Sequence, residues 1–317
     1  MAVTRYCKVG IESSFGAGST NMLPVSVNSV SPKIDRGLMT DEVICSYFAG
    51  DAEGGALKCG GSIELTVRAE SIGEFLYALF GKVTTTSEGG GLYKHIFELD
   101  NPKSLEIHLG ENGVAWEFLG CGLTGTEFTF ESKEFVKMKT DFLAREPVLG
   151  SFDPATPCVS TFPFTFWKAR LKAAGVKVEH ITKASVSVDR KLKDDLFVLD
   201  SFKLDALVVD GVADMGGEFG ITEPYITELR KAIFGSAVEL TIADDNPITK
   251  QALQIEAERV EDTKTKSIKF VMPVAVYGEG NWDISGRDYA ERTIPYKIVG
   301  GTFTCELINT VDAYPQT

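Results

Sequence analysis

Residues Gly60 to Gly81 read Gly-Gly-Ser-Ile-Glu-Leu-Thr-Val-Arg-Ala-Glu-Ser-Ile-Gly-Glu-Phe-Leu-Tyr-Ala-Leu-Phe-Gly. From Ser62 to Arg68 the side chains alternate. Ile63, Leu65 and Val67 share one face and Glu64, Thr66 and Arg68 the other, the pattern of a strand with one buried side. The spacing then changes. Ile72, Phe75, Leu76, Leu79 and Phe80 fall on one helical face. Ser71 with Glu74 fits a capping box, and Gly81 fits a left-handed stop after the last turn. The stretch therefore predicts a strand running straight into a short amphipathic helix.

A similar unit spans Gly216 to Gly235. Ile226, Leu229, Ile233 and Phe234 repeat the helical spacing, with Pro224 where a first-turn proline is tolerated. Phe80-Gly81 and Phe234-Gly235 are 154 residues apart (234 − 80), and Ile34-Asp35-Arg36 precedes Val188-Asp189-Arg190 by the same interval (188 − 34). Two matches at one interval predict a tandem duplication.

The remaining chain reads mainly as strands. Val30–Arg36, Tyr93–Leu99, Leu105–Leu109, Trp116–Leu119, Glu127–Glu131 and Phe135–Leu143 are candidates in the first half, with a turn at Glu131–Glu134. Ala184–Arg190, Leu192–Asp210, Val238–Ile242, Leu253–Glu258, Ile268–Val276, Thr293–Val299 and Thr302–Ile308 follow in the second. Leu253–Val276 is expected to be a hairpin mirroring residues 127–143. Pro273 would place its strand at an edge or bulge, and Gly300-Gly301 is expected to turn a further hairpin. Phe164–Ala174 fits either a short helix or a hairpin. Pro147, Pro154, Pro157 and Pro163 mark a boundary near residue 153. The expected architecture is mainly β: two tandem sandwich or barrel domains, each with one short flanking helix and one long loop. Residues 1–153 form the first, with an N-terminal arm, and 154–317 the second, with a C-terminal arm.

Several function classes lose support from composition. The net charge of −13 leaves no basic patch to grip phosphates. Cys7, Cys45, Cys59, Cys121, Cys158 and Cys305 are scattered, and His95, His108 and His180 have no metal-ligand spacing with them. Gly120-Cys-Gly-Leu-Thr-Gly125 matches G-x-G-x-x-G, but a strand follows it instead of the helix a dinucleotide site needs, so a bulge or turn is expected there. The five aspartates between Asp194 and Asp210 lack the glycine pivot of a calcium loop. No cofactor, metal, signal peptide or membrane span is expected.

In order and spacing, residues 30–146 resemble the tail tube proteins of long-tailed bacteriophages. The resemblance rests on the Gly60-Gly61 strand–helix ending at Phe80-Gly81, Thr84-Thr85-Thr86, Tyr93-Lys94-His95-Ile96-Phe97, Ser104-Leu105-Glu106-Ile107, and Phe118-Leu119-Gly120-Cys121-Gly122-Leu123-Thr124 entering a hairpin. The second half matches through its strand–helix and final hairpin, and lacks the Gly-Cys-Gly-Leu turn. The resemblance implies a non-enzymatic structural protein of the virion tail, made in the bacterial host cytoplasm. Its rings would stack into a hollow conduit that DNA crosses during ejection without specific binding. Two copies of the domain per chain imply trimeric rings with pseudo-six-fold symmetry, homohexamers being the other arrangement; tape measure and tail-end proteins are the implied partners. Glu127, Thr129, Glu131, Gln254, Glu256 and Glu258 become candidate lumen residues of an acidic wall. Leu38, Met39, Ile44, Tyr47, Phe48, Phe197, Leu199 and Phe202 become candidates for contacts between rings. A different class stays open: a carbohydrate-binding β-sandwich using Trp116, Trp167 or Trp282. For an enzyme, no nucleophile–base or carboxylate pair stands out.

Overall fold

The computed structural model describes residues 5–41, 51–153, 161–222, 227–234, 250–278, 281–282 and 291–316. The chain is mainly β: these residues form one antiparallel network of 19 strands with two α-helices. In the first half the strands are β1 (Arg5–Ile11), β2 (Leu23–Val25), β3 (Val27–Asp41) and β4 (Asp51–Thr66), followed by α1 (Gly73–Phe80). β5 (Gly81–Gly89), β6 (Leu92–Leu99), β7 (Leu105–Glu111), β8 (Val114–Glu131), β9 (Lys137–Ala144) and β10 (Glu146–Gly150) complete it. A 3-10 turn at Phe166–Lys168 leads to β11 (Ala169–Ala173), β12 (Val176–Lys177), β13 (Ile181–Asp189), β14 (Asp214–Thr222) and α2 (Thr227–Phe234). β15 (Lys250–Glu261), β16 (Lys264–Tyr277), β17 (Asn281–Trp282), β18 (Glu291–Ile298) and β19 (Thr304–Asn309) end the chain.

The strand–helix unit forms as its spacing predicts. Ile63, Leu65 and Val67 are buried, and so is the helical face Ile72, Phe75, Leu76, Leu79 and Phe80. Each of these large side chains contributes roughly 1.5–3 kcal/mol by leaving water. Gly81 ends α1 in the left-handed region (φ 90°), and its N–H donates to the Tyr77 carbonyl. The capping box does not form: Ile72 is the N-cap, with no side-chain cap bond. Glu74 turns inward and its Oε1 accepts the Gln316 N–H at 2.9 Å.

Within the expected N-terminal arm, Arg5–Ile11 and Leu23–Val25 are paired strands. Cys7 lies between Val25 and Leu109, and the burial of Cys7 and Val9 holds β1 in place. The first of the expected long loops is a hairpin arm of β3 and β4, paired as far out as Asp41 with Asp51. Trp116–Leu119 and Glu127–Glu131 are one strand, β8, bent where Gly120 (φ 63°) and a register shift between Leu123 and Thr126 provide the expected bulge. Leu192–Asp210 is irregular, with one bridge from Leu192 to Val209, because its apolar side chains find no continuous partner strand. Val238–Ile242 and the turn after it lie outside the described residues.

Two expectations in the second half fail for a shared reason, long-range pairing. β18 and β19 do not form a hairpin around Gly300-Gly301. They lie end to end along one edge of β16, which pairs with β19 from Ser267 to Val271 and with β18 from Ala275 to Tyr277. Pro273 falls at a bulge, one of the two places expected for it: the register with β15 shifts between Met272 and Ala275. On the other edge it sits in the gap between β19 and β18, so β16 is an inner strand that a proline interrupts where no ladder bond is required. The β15–β16 hairpin forms, but its counterpart is β7–β8, not residues 127–143. Both hairpins carry a one-residue bulge at the matching place, between Leu105 and Ile107 and between Gln251 and Leu253.

The match extends through both halves. Lys33, Gly60 and Leu143 lie side by side across β3, β4 and β9; Ser187, Gly216 and Lys297 do so across β13, β14 and β18. Cys7 opposite Leu109 corresponds to Leu171 opposite Ile255, and Leu123 opposite Phe142 to Tyr277 opposite Tyr296. At Gly60 an added Cβ would lie 2.3 Å from the Phe142 carbonyl oxygen, and at Gly216 2.5 Å from that of Tyr296. The same close approach of neighbouring backbones requires both glycines.

Candidate assembly surface

Strands from the two sides of residue 153 join directly. The second part of β8 pairs with β9 on one edge and with β13 on the other, from Gly125 opposite Asp189 to Glu131 opposite Lys183. β19 pairs with β6, placing Cys305 opposite Phe97. Behind these joints the core is continuous. Phe128 and Phe130 from the first half meet Phe270 from the second, with ring centroids 4.8 and 6.4 Å apart. The C-terminal segment, expected to be an arm, also crosses over. Tyr314 is buried beside α1, and Asn309 Nδ2 donates to the Tyr314 hydroxyl and the Ala69 carbonyl.

The outer face of this sheet carries the six candidate lumen residues. Glu127, Thr129 and Glu131 point outward from β8, level with Ser187, Ser185 and Lys183 of β13. On the other side Glu127 and Thr129 face Lys139 and Lys137, and Lys139 in turn faces Glu64. Gln254, Glu256 and Glu258 lie on the matching face of β15. Glu256 is held by Lys172 at 2.7 Å and Arg170 at 3.6 Å, and Glu258 by Arg170 at 2.9 Å. Glu256 is itself buried. Further along, Glu306 bridges Lys94 and Lys269. Burial opposes its ionisation, but the two lysines outweigh it and hold the carboxyl below its ordinary value. The face therefore alternates in charge where an acidic wall is expected, because acids and lysines fall on paired positions of neighbouring strands.

The candidate inter-ring residues lie on two adjoining projections. Leu38 and Met39 are exposed on the β3–β4 arm, and Leu199 and Phe202 on the segment between β13 and β14; Phe197 is half-buried there. Ile44, Tyr47 and Phe48 lie outside the described residues. The two projections touch. The Leu57 N–H donates to the Phe202 carbonyl at 2.7 Å, and the Arg36 guanidinium sits 5.4 Å from the Phe202 ring centre. Lys58 pairs with Asp194 at 3.2 Å.

Among the described residues other chemistry is sparse. Glu106, His108 and Glu117 bring their ligand atoms within 4.8 Å of one another, a grouping that sequence spacing did not reveal because Glu117 comes from the next strand. His108 Nε2 contacts Glu106 Oε1, and the Ser19 N–H, at 2.5 Å, occupies the other Glu106 oxygen. Cys7, Cys59, Cys121 and Cys305 are buried free thiols, and burial pushes those of Cys7 and Cys59 up to about 12. Trp116 and Trp167 line different clefts, so they do not build one sugar platform; the Trp282 side chain is outside the described residues. Among the described residues no helix is long and apolar enough to cross a membrane.

Compared with known sequences, residues 6–296 match the family profile described as phage tail tube protein. No curated protein matches the chain.

Proposed function

The chain belongs to the phage tail tube protein family, and from that premise we propose that it builds the tube as stacked closed rings through which DNA passes during ejection. It is a structural protein of the virion tail. One observation carries the ring reading: the two halves repeat each other's strand pairing and are already joined edge to edge by β8 with β13 and β19 with β6. A chain made of two equivalent halves by tandem duplication can place six equivalent units around an axis with three copies. Closing the sheet on itself would remove its exposed edges. Six copies per ring is the other arrangement.

In this reading the outer charged face lines the conduit. Lys94, Lys172 and Lys269 on it are engaged by carboxylates on neighbouring strands, which lowers their grip on passing phosphates. The β3–β4 arm and the 190–213 segment would reach the next ring, burying Leu38, Met39 and Leu199. A tape measure protein would fill the conduit before ejection, and tail-end proteins would close it; assembly follows synthesis in the host cytoplasm. Electron microscopy of the concentrated protein tests this. Hollow tubes with a regular axial repeat are expected, and a protein that stays monomeric at every concentration would contradict it.

A further inference from the structure

Resting on the ring reading, we infer that the joint between neighbouring copies repeats the joint inside the chain: the open edge of β3 in one copy takes β17 of the next, with Lys33 opposite Asn281. Three observations lead there.

First, β3 is the counterpart of β13 but has one partner fewer. β13 pairs with β14 on one edge and β8 on the other, whereas β3 pairs among the described residues only with β4. Its residues are correspondingly bare. Ile34 is 45% exposed, while Val188, which holds the same place opposite the next strand, is 0% exposed. Pro32 and Val30 are likewise less covered than Val186 and Ala184. A strand with an apolar row open to water is a template for another strand.

Second, β17 is the counterpart of the part of β8 that makes the in-chain joint. Asn281 lies opposite Thr293 of β18 as Glu127 lies opposite Lys139 of β9. β8 continues across to β13, and β17 pairs among the described residues with β18 alone. Among the described residues each half of the joint is thus present once without its mate.

Third, the in-chain register fixes the new one. Glu127 lies opposite Ser187, and Phe128 one position further on. Transferring those places gives Asn281 opposite Lys33 and Trp282 opposite Pro32. Pro32 has no N–H to offer there, which disfavours indiscriminate pairing along this edge while leaving its carbonyl free to accept. The occupant is a second copy of the chain because only that copy carries the strand equivalent to β8.

The test is a disulfide trap. Directly opposed residues in an antiparallel pair place their Cβ atoms close enough for a bond. The double variant Lys33→Cys, Asn281→Cys is assembled, oxidised and run under denaturing, non-reducing conditions. Glu127→Cys with Ser187→Cys reports that the chemistry works within one chain. Ile34→Cys with Asn281→Cys, one step out of register, is the matched negative. The expected result is loss of the monomer band to covalent dimers and trimers for the first variant, and no such ladder for the negative. Assembled tubes or rings without that ladder, or with an equal ladder from the negative, would overturn the register and leave the tube reading standing. No assembly and no ladder, with the in-chain disulfide formed, would overturn both.

Discussion

Gly73 and Tyr314 touch although 241 residues (314 − 73) separate them in the sequence: a Cβ on Gly73 would lie 2.0 Å from Tyr314 Cζ. The helix is glycine there because the C-terminal segment packs flat against its first turn. Gly73→Ala would push that segment away, and Tyr314→Ala would leave its buried site empty at about 3–5 kcal/mol, the range of large aromatic truncations. Both losses are measurable by denaturant unfolding. Truncation of residues 312–317 would give a comparable loss, whereas an undocked tail would make all three changes neutral.

Glu74, beneath the same segment, makes stability depend on pH. Burial raises its carboxyl to about 7, partly offset by the Gln316 N–H, against an ordinary value of 4.5. Between those values the folded chain holds a proton that the unfolded chain releases, so stability falls as pH rises from about 4.5 to about 7. At about 1.4 kcal/mol per unit, the change is on the order of 3 kcal/mol. Glu74→Gln keeps the shape and removes the ionisation. The variant's unfolding free energy is expected to lose this slope; an unchanged pH profile would show that another group causes it.

Gly60 and Gly216 occupy matching places, each pressed against a neighbouring backbone carbonyl. Gly60→Ala and Gly216→Ala are therefore expected to destabilise alike, by roughly 1–3 kcal/mol as for other overpacked sites. Thermal unfolding of the two variants compares them directly. A neutral result at one position alone would mean that the halves are not built alike there.

Phe270 links the halves through Phe128 and Phe130, and its neighbour Phe303 meets Phe80 of the first half. Phe270→Ala is expected to cost about 3–5 kcal/mol and to lower the midpoint of a single cooperative transition. Two separate transitions in calorimetry would instead show halves that unfold independently.

What could be read beforehand was local. Period-two and helical spacing located β4 and α1, and the Phe-Gly ending recurs because α1 and α2 end at matching places. The β15–β16 hairpin was legible for the same reason: its partners are adjacent in sequence. Pairing between distant strands was not. Nothing local says that β18 and β19 share an edge of β16, or that β8 leaves its own hairpin for β13. Glu74 looked like a capping residue because a capping box is defined by spacing, while its actual partner, Gln316, is set by the chain's return. The outer face was read as acidic from β8 and β15 alone. Its lysines come from strands β6, β9, β11, β13 and β16, which only the register brings alongside.

In the proposed tube, two equivalent halves in each chain close a ring of three chains. Native mass measurement of single rings released from the tube, paired with rotational averaging of end-on images, tests it most directly. The account predicts a mass of three chains and six similar lobes around the hole. A ring of six full chains would contradict closure by three chains of two halves each, and six lobes in such a ring would also contradict the equivalence of the halves.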